Sequence, residues 1–89
     1  MSNSIKINQI ELFPNPASDF IFVKIKDSNL SDVKIELRSM IGNRLTIDIE
    51  KVGINQYRIP LKNFATGYYF VVVKDEFSRF NKAYKILKK

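Results

Sequence analysis

Apolar and polar residues alternate with a period of two along much of this chain. The pattern is clearest in three segments, each with an apolar residue at every second position: Val33 to Leu37, Leu45 to Ile49, and Tyr57 to Leu61. Successive side chains of a β-strand point to opposite faces, so each segment predicts a strand with one apolar and one polar face. Such strands are typical of antiparallel sheets that are buried on one side only.

Four further segments fit the same scheme less regularly. Residues 21–25 and 80–86 each predict one apolar face, and residues 68–73 are apolar on both faces, which predicts a central strand. Residues 5–12 are the weakest segment, with a change of phase that predicts a bulge. Gly, Pro, Asn and Asp lie between these runs, and Gly42-Asn43 predicts a two-residue hairpin loop.

These patterns predict an all-β fold: a compact seven-stranded antiparallel immunoglobulin-like β-sandwich. An oligonucleotide-binding barrel ranks second, because that fold has five longer strands. The 89 residues are enough for one domain, which we assign to residues 10–89. Residues 1–9 are a linker or the first part of the first strand. The polar start predicts no secretory signal peptide, and no apolar run is long enough for membrane insertion.

The composition excludes several kinds of site. The chain has no Cys and no His, so it lacks thiol nucleophiles, imidazole bases and the commonest ligands of zinc, copper and haem. Asp48 and Glu50 share one strand face, but alternation assigns them to the face in water rather than to a catalytic cleft. We therefore expect no enzyme activity and no cofactor.

Two loop motifs have simpler explanations than a binding site. Asp27, Asn29 and Ser31 alternate as the first ligands of a calcium loop do, but Asp32 and Arg38 stand where that loop needs Gly and Glu. A turn explains the segment better. The tripeptide Asn29-Leu30-Ser31 matches a glycosylation acceptor and is short enough to occur by chance.

The positive charge is concentrated towards the end of the sequence. The net charge is +6, and in the last sixteen residues six basic side chains are opposed only by Asp75 and Glu76. Phe20 and Phe22 with their neighbouring lysines would suit single-stranded nucleic acid. No second aromatic and basic strand accompanies them, so we expect no nucleic-acid partner and favour an edge strand protected by lysines.

Four motifs in order resemble one known family. They are Leu12-Phe13-Pro14-Asn15-Pro16 before a strand, Ile41-Gly42-Asn43-Arg44, Leu61-Lys62-Asn63-Phe64-Ala65-Thr66-Gly67-Tyr68, and the lysine-rich ending from Asn81. In this order they resemble the C-terminal sorting domain of the type IX secretion system of Bacteroidota, over about residues 10–89. Phe13 replaces the usual Tyr, and Asn43 separates Gly42 from Arg44. The motif residues Pro14, Asn15, Pro16, Gly42 and Arg44 are expected to maintain the fold.

The resemblance implies a secretion signal rather than a catalyst. Its partners would be an N-terminal cargo domain in the same chain, the outer-membrane translocon, and a sortase-like peptidase that usually removes the domain. The protein would pass through the periplasm to the cell surface or the medium. The alternative is a β-sandwich adhesion or carbohydrate-binding module of a surface protein.

We predict that the partner reads the last, lysine-rich strand through backbone pairing and charge. The predicted recognition residues are Gly67, Tyr68, Lys82, Lys85, Ile86, Leu87, Lys88 and Lys89.

Overall fold

The computed structural model describes residues 10–26, 33–77 and 79–89. All regular structure in these residues is β-strand. The strands are β1 (Ile10–Phe13), β2 (Phe20–Ile25), β3 (Val33–Arg38), β4 (Arg44–Leu45), β5 (Glu50–Gly53), β6 (Gln56–Pro60), β7 (Gly67–Asp75) and β8 (Phe80–Lys88). The described part of the chain contains no helix that is long and apolar enough to cross a membrane.

The strands form two antiparallel sheets of four strands. The first sheet has the order β1-β2-β6-β5 and the second has the order β4-β3-β7-β8. The inner faces of both sheets contribute to one hydrophobic core. Its fully buried members include Ile21 and Ile59 from the first sheet and Leu37, Val71 and Ile86 from the second. Burial of these side chains is the main favourable contribution to folding.

The central position of β7 confirms the prediction from its apolar sequence. β7 pairs with β3 on one side and with β8 on the other, and Val71, Val72 and Val73 are all buried. The alternating pattern of β2 is also confirmed, because Ile21, Val23 and Ile25 face the core. The all-β prediction is therefore confirmed.

The structure has eight described strands where the sequence predicts seven. The difference arises in the Leu45–Ile49 segment, which we expected to be one continuous strand. Here β4 ends at Leu45 and β5 begins at Glu50, in the other sheet. Leu45, Ile47 and Ile49 still alternate in burial with their polar neighbours. The alternation thus correctly indicates which side chains face the core, although the backbone of this segment crosses from one sheet to the other.

The hairpin between β3 and β4 is confirmed, but its loop is longer than the predicted two residues. Ser39 N–H donates to the Asn43 carbonyl, and Gly42 N–H donates to the Ser39 carbonyl, both at 2.9 Å. The loop therefore consists of Met40, Ile41 and Gly42. Gly42 has a φ of 94°, which suits the left-handed position that ends a three-residue hairpin loop.

Three sequence predictions lie outside the described residues. They are the strand segment and bulge before residue 10, the turn that resembles a calcium loop at 27–32, and the glycosylation tripeptide 29–31.

Candidate recognition surface

The loop of residues 14–19 docks onto the end of the last strand. Ala17 N–H donates to the Leu87 carbonyl at 2.8 Å, and Lys89 N–H donates to the Ala17 carbonyl at 2.7 Å. Asn15 Oδ1 accepts a third hydrogen bond, from Leu87 N–H at 3.1 Å. Ala17 is completely buried. The Pro-Asn-Pro motif thus connects the beginning of the described chain with its last residues.

This contact leaves only part of the β8 edge open. In a regular strand, the N–H and C=O of one residue point to the same side of the strand, and every second residue repeats that direction. Because Leu87 bonds to the 14–19 loop, the backbone groups of Asn81, Ala83 and Lys85 also point outwards, away from β7. Among the described residues, the backbone hydrogen bonds to this outer edge involve only Leu87 and Lys89. An open edge of this kind is available for pairing with another strand.

The predicted recognition residues of β8 fall on two faces. Ile86 lies in the core and Lys88 is half-buried on the same inner-facing side. Lys82 shares that side but is exposed, with its Nζ 5.8 Å from the centre of the Tyr84 ring. Lys85 and Leu87 lie on the outer face of the sheet. The structure therefore groups Lys85 and Leu87 and separates them from Lys82.

Gly67 and Tyr68 begin the strand beside β8. Gly67 has a φ of 152°, which L-amino acids with a side chain rarely adopt, and it pairs with Lys88. Tyr68 pairs with Leu87 on the outer face and is half exposed. Lys85 Nζ lies 4.5 Å from the centre of the Tyr68 ring, within cation–π distance. Tyr68, Lys85 and Leu87 thus form one contiguous surface.

A carboxylate with three cations lies on the same outer face. Glu36 accepts hydrogen bonds from Arg38 Nε at 3.0 Å and from Lys74 Nζ at 3.2 Å, and Arg44 lies 3.6 Å away. Burial alone would raise the pKa of Glu36, but the hydrogen bonds and positive charges of Arg38 and Lys74 outweigh it and lower the pKa below its usual value. Sequence reasoning missed this cluster, because only the register between β3 and β7 brings Glu36 and Lys74 together.

The other sequence candidates lie on exposed surface. Asp48 and Glu50 are exposed, as the alternation predicts, and Arg58 Nε donates to Glu50 at 2.6 Å. Phe20 and Phe22 are stacked edge to face on the outer face of the first sheet, with ring centres 5.1 Å apart. No group of three or more residues that could hold a metal ion occurs in the described ranges.

These features define a small two-sheet β-domain whose distinctive surface lies around its last strand. A family model described as the secretion system C-terminal sorting domain matches residues 11–89. The chain therefore belongs to the family of type IX secretion C-terminal sorting domains. Membership in this family implies export to the cell surface or the medium. Searches of curated proteins and of solved structures gave no match.

Proposed function

We propose that this domain directs a cargo protein, attached at its N-terminal side, through the type IX translocon. The family match over residues 11–89 carries this proposal. The cargo would cross the periplasm and reach the cell surface or the medium, and a sortase-like peptidase would remove the domain. The absence of Cys and His is in keeping with a signal that contributes no chemistry of its own.

The strand order supports an immunoglobulin-like form of the sandwich. The immunoglobulin constant domain pairs its first, second, fifth and fourth strands in one sheet and its third, sixth and seventh strands in the other. With the two-residue β4 counted as an additional edge strand, the order of the remaining strands here follows that scheme.

The recognition surface is assigned to the last strand and its neighbour. In this proposal a partner strand pairs with the open β8 edge between Asn81 and Lys85, while Lys82 and Lys85 supply charge on either side of that edge. Tyr68 and Leu87 add apolar contact area next to Lys85. Gly67, Ile86, Lys88 and Lys89 hold β8 in place, through the core or through the ends of the strand.

An export assay tests the proposal. Residues 1–89 are fused behind a fluorescent protein directed to the periplasm of a Bacteroidota host, and fluorescence is measured in the medium, on the surface and in the periplasm. Ala83→Pro removes an outward N–H while leaving the β7–β8 hydrogen bonds in place, because edge strands tolerate proline. We expect the unmodified fusion to be exported and the Ala83→Pro fusion to accumulate in the periplasm.

A double lysine substitution with a matched control tests the charge of the surface separately from the backbone edge of β8. Lys82→Gln/Lys85→Gln should reduce export, whereas Lys51→Gln/Lys62→Gln, which removes the same charge from exposed positions elsewhere, should not. Circular dichroism of the purified domains verifies that each variant is folded. Export of folded Ala83→Pro at the normal level would contradict the assignment to the β8 edge. Failure of the unmodified fusion in a competent host would contradict the sorting function and favour an adhesion or carbohydrate-binding module.

A further inference from the structure

The outer face of the second sheet has a strong excess of positive charge. Lys34, Arg38, Arg44, Lys74 and Lys85 project from this surface, which we call the basic face. Glu36 is the one acidic side chain at the described strand positions of this face. The excess is therefore larger than any internal ion pairing on these strands can neutralise.

The register places like charges directly opposite each other. Lys34 is the cross-strand partner of Lys74, and Arg38 is the partner of Arg44. Like charges at directly opposed positions destabilise a sheet. Glu36 contacts Arg38, Arg44 and Lys74 but carries only one negative charge. Arg38 Nη1 also donates to the Gly42 carbonyl at 2.8 Å, so part of this arrangement stabilises the hairpin. One carboxylate cannot neutralise four cations, however, and an external anion would relieve the repulsion that remains.

Apolar side chains occupy the middle of the basic face. Phe70 lies between Arg38 and Lys85 in one row across the sheet, and Val72 follows in the next row. Val72 is only 7% exposed although it points away from the core, whereas Tyr68 beside this row is 50% exposed. Strand geometry gives the face a length of about 20 Å along β7. Four strands about 4.8 Å apart make the face roughly 20 Å wide, so its area is about 400 Å². Each partner of a standard protein interface buries about 800 Å², so this smaller face indicates a transient contact.

We propose that the basic face binds an acidic protein surface of the export machinery, one that carries apolar side chains among its carboxylates. This inference rests on the proposed function and adds the chemistry of the partner. The apolar centre argues for a protein over a phosphorylated glycan, because the C–H faces of sugar rings pack on exposed aromatic rings, whereas the aliphatic side chains of a protein can also cover the partly buried Phe70 and Leu87. The burial of the central apolar side chains argues against a lipid bilayer, because Phe70 is partly buried and Val72 is only 7% exposed, so neither can insert between acyl chains.

A titration of the purified domain tests the chemistry directly. The probe is the peptide Glu-Glu-Leu-Leu-Glu-Glu, which as a strand spans about 20 Å and presents both side-chain types on each face. We expect NMR amide shifts at the basic face that diminish as salt is added, because salt screens exposed charges. The peptide with Gln in place of Glu should give none. Shifts caused by phosphatidylglycerol vesicles but not by the peptide would overturn the proposal.

Paired variants locate the binding surface. Lys34→Gln/Arg44→Gln should weaken peptide binding about fivefold, whereas Lys24→Gln/Lys62→Gln, with the same net charge, should bind as the unmodified domain does. All four positions are exposed, and circular dichroism of both purified variants verifies that the domain stays folded without the Arg44–Glu36 contact. Equal binding by the two variants would overturn the proposal.

The same pair in the export fusion separates the two proposals. We expect slower export for Lys34→Gln/Arg44→Gln and normal export for the control Lys24→Gln/Lys62→Gln. Normal export of that variant, with the unmodified fusion exported, would overturn the role of the basic face and leave the sorting function intact. Failure of the unmodified fusion, with peptide binding retained, would overturn the sorting function instead.

Discussion

Two tyrosines of the second sheet differ in how their hydroxyl groups are satisfied. The Tyr84 hydroxyl is enclosed without a hydrogen-bond partner among the described residues, and burial raises the pKa of Tyr84. The Tyr69 hydroxyl donates to the Ala65 carbonyl at 2.6 Å. An enclosed polar group without a partner is destabilising, whereas a formed hydrogen bond contributes about 1 kcal/mol.

The same chemical change should therefore destabilise the domain at Tyr69 but not at Tyr84. Tyr84→Phe should leave the free energy of unfolding unchanged or raise it by up to ~1 kcal/mol, and Tyr69→Phe should lower it by ~1 kcal/mol. Urea unfolding followed by circular dichroism measures both. A loss of stability in Tyr84→Phe as large as in Tyr69→Phe would mean that the Tyr84 hydroxyl has a partner.

Glu36 should make part of the stability of the domain dependent on pH. Its pKa in the folded state lies below the usual value because of the nearby Arg38 and Lys74. Because the folded-state pKa is lowered, ionised Glu36 stabilises the fold at pH values above its unfolded-state pKa. This stabilisation is lost as pH falls through the folded-state pKa. We expect the free energies of unfolding of the unmodified domain and of Glu36→Gln to differ most near neutral pH and to become equal at acidic pH. Urea unfolding at several pH values tests this, and a constant difference would contradict it.

At the scale of the strands, the outer edge of β8 should show two kinds of amide. Leu87 and Lys89 N–H groups donate to Asn15 and Ala17, whereas the N–H groups of Asn81, Ala83 and Lys85 point to the open edge. Hydrogen exchange should therefore be slow at Leu87 and Lys89 and fast at the three open positions. Asn15→Ala should accelerate exchange at Leu87 while Ile86, which faces β7, stays protected. Uniform exchange along β8 would contradict the docking of the 14–19 loop.

The elements also show how far the sequence determines the fold. The period of two predicted the buried faces of β2, β3 and β6, because burial of alternate residues is a local property of a strand. It did not predict that the Leu45–Ile49 segment changes sheets, since alternation is the same for a paired strand and for an extended crossover. The Asn15–Leu87 hydrogen bond joins residues 72 positions apart, and no local pattern reveals such a contact.

The proposed recognition residues show the same limit. The lysine-rich ending was visible in the sequence, and the resemblance pointed to it. The opposed pairs Lys34–Lys74 and Arg38–Arg44 were not visible, because each pair depends on the register between two strands. Sequence reasoning therefore found the charged strand and missed the charged face.

At the scale of the whole molecule, the last six residues belong to the fold as well as to the proposed signal. Ile86 is fully buried, Tyr84 packs against the core, and the 14–19 loop bonds to Leu87 and Lys89. Loss of a buried large aliphatic side chain alone costs about 2–5 kcal/mol, which is a large part of the roughly 5–15 kcal/mol by which a domain is stable. Deletion of residues 84–89 should therefore unfold the domain.

Circular dichroism and one-dimensional NMR of the purified deletion variant measure this directly, and we expect an unfolded spectrum. Lys88→Gln/Lys89→Gln, which keeps the backbone and the core, should remain folded and serves as the control. Because residues 84–89 are needed for folding, an export defect in the deletion variant would not distinguish loss of the fold from loss of recognition. A folded deletion variant would show that Ile86 and the docked loop are dispensable for the sandwich, and the signal in β8 would then be separable from the fold.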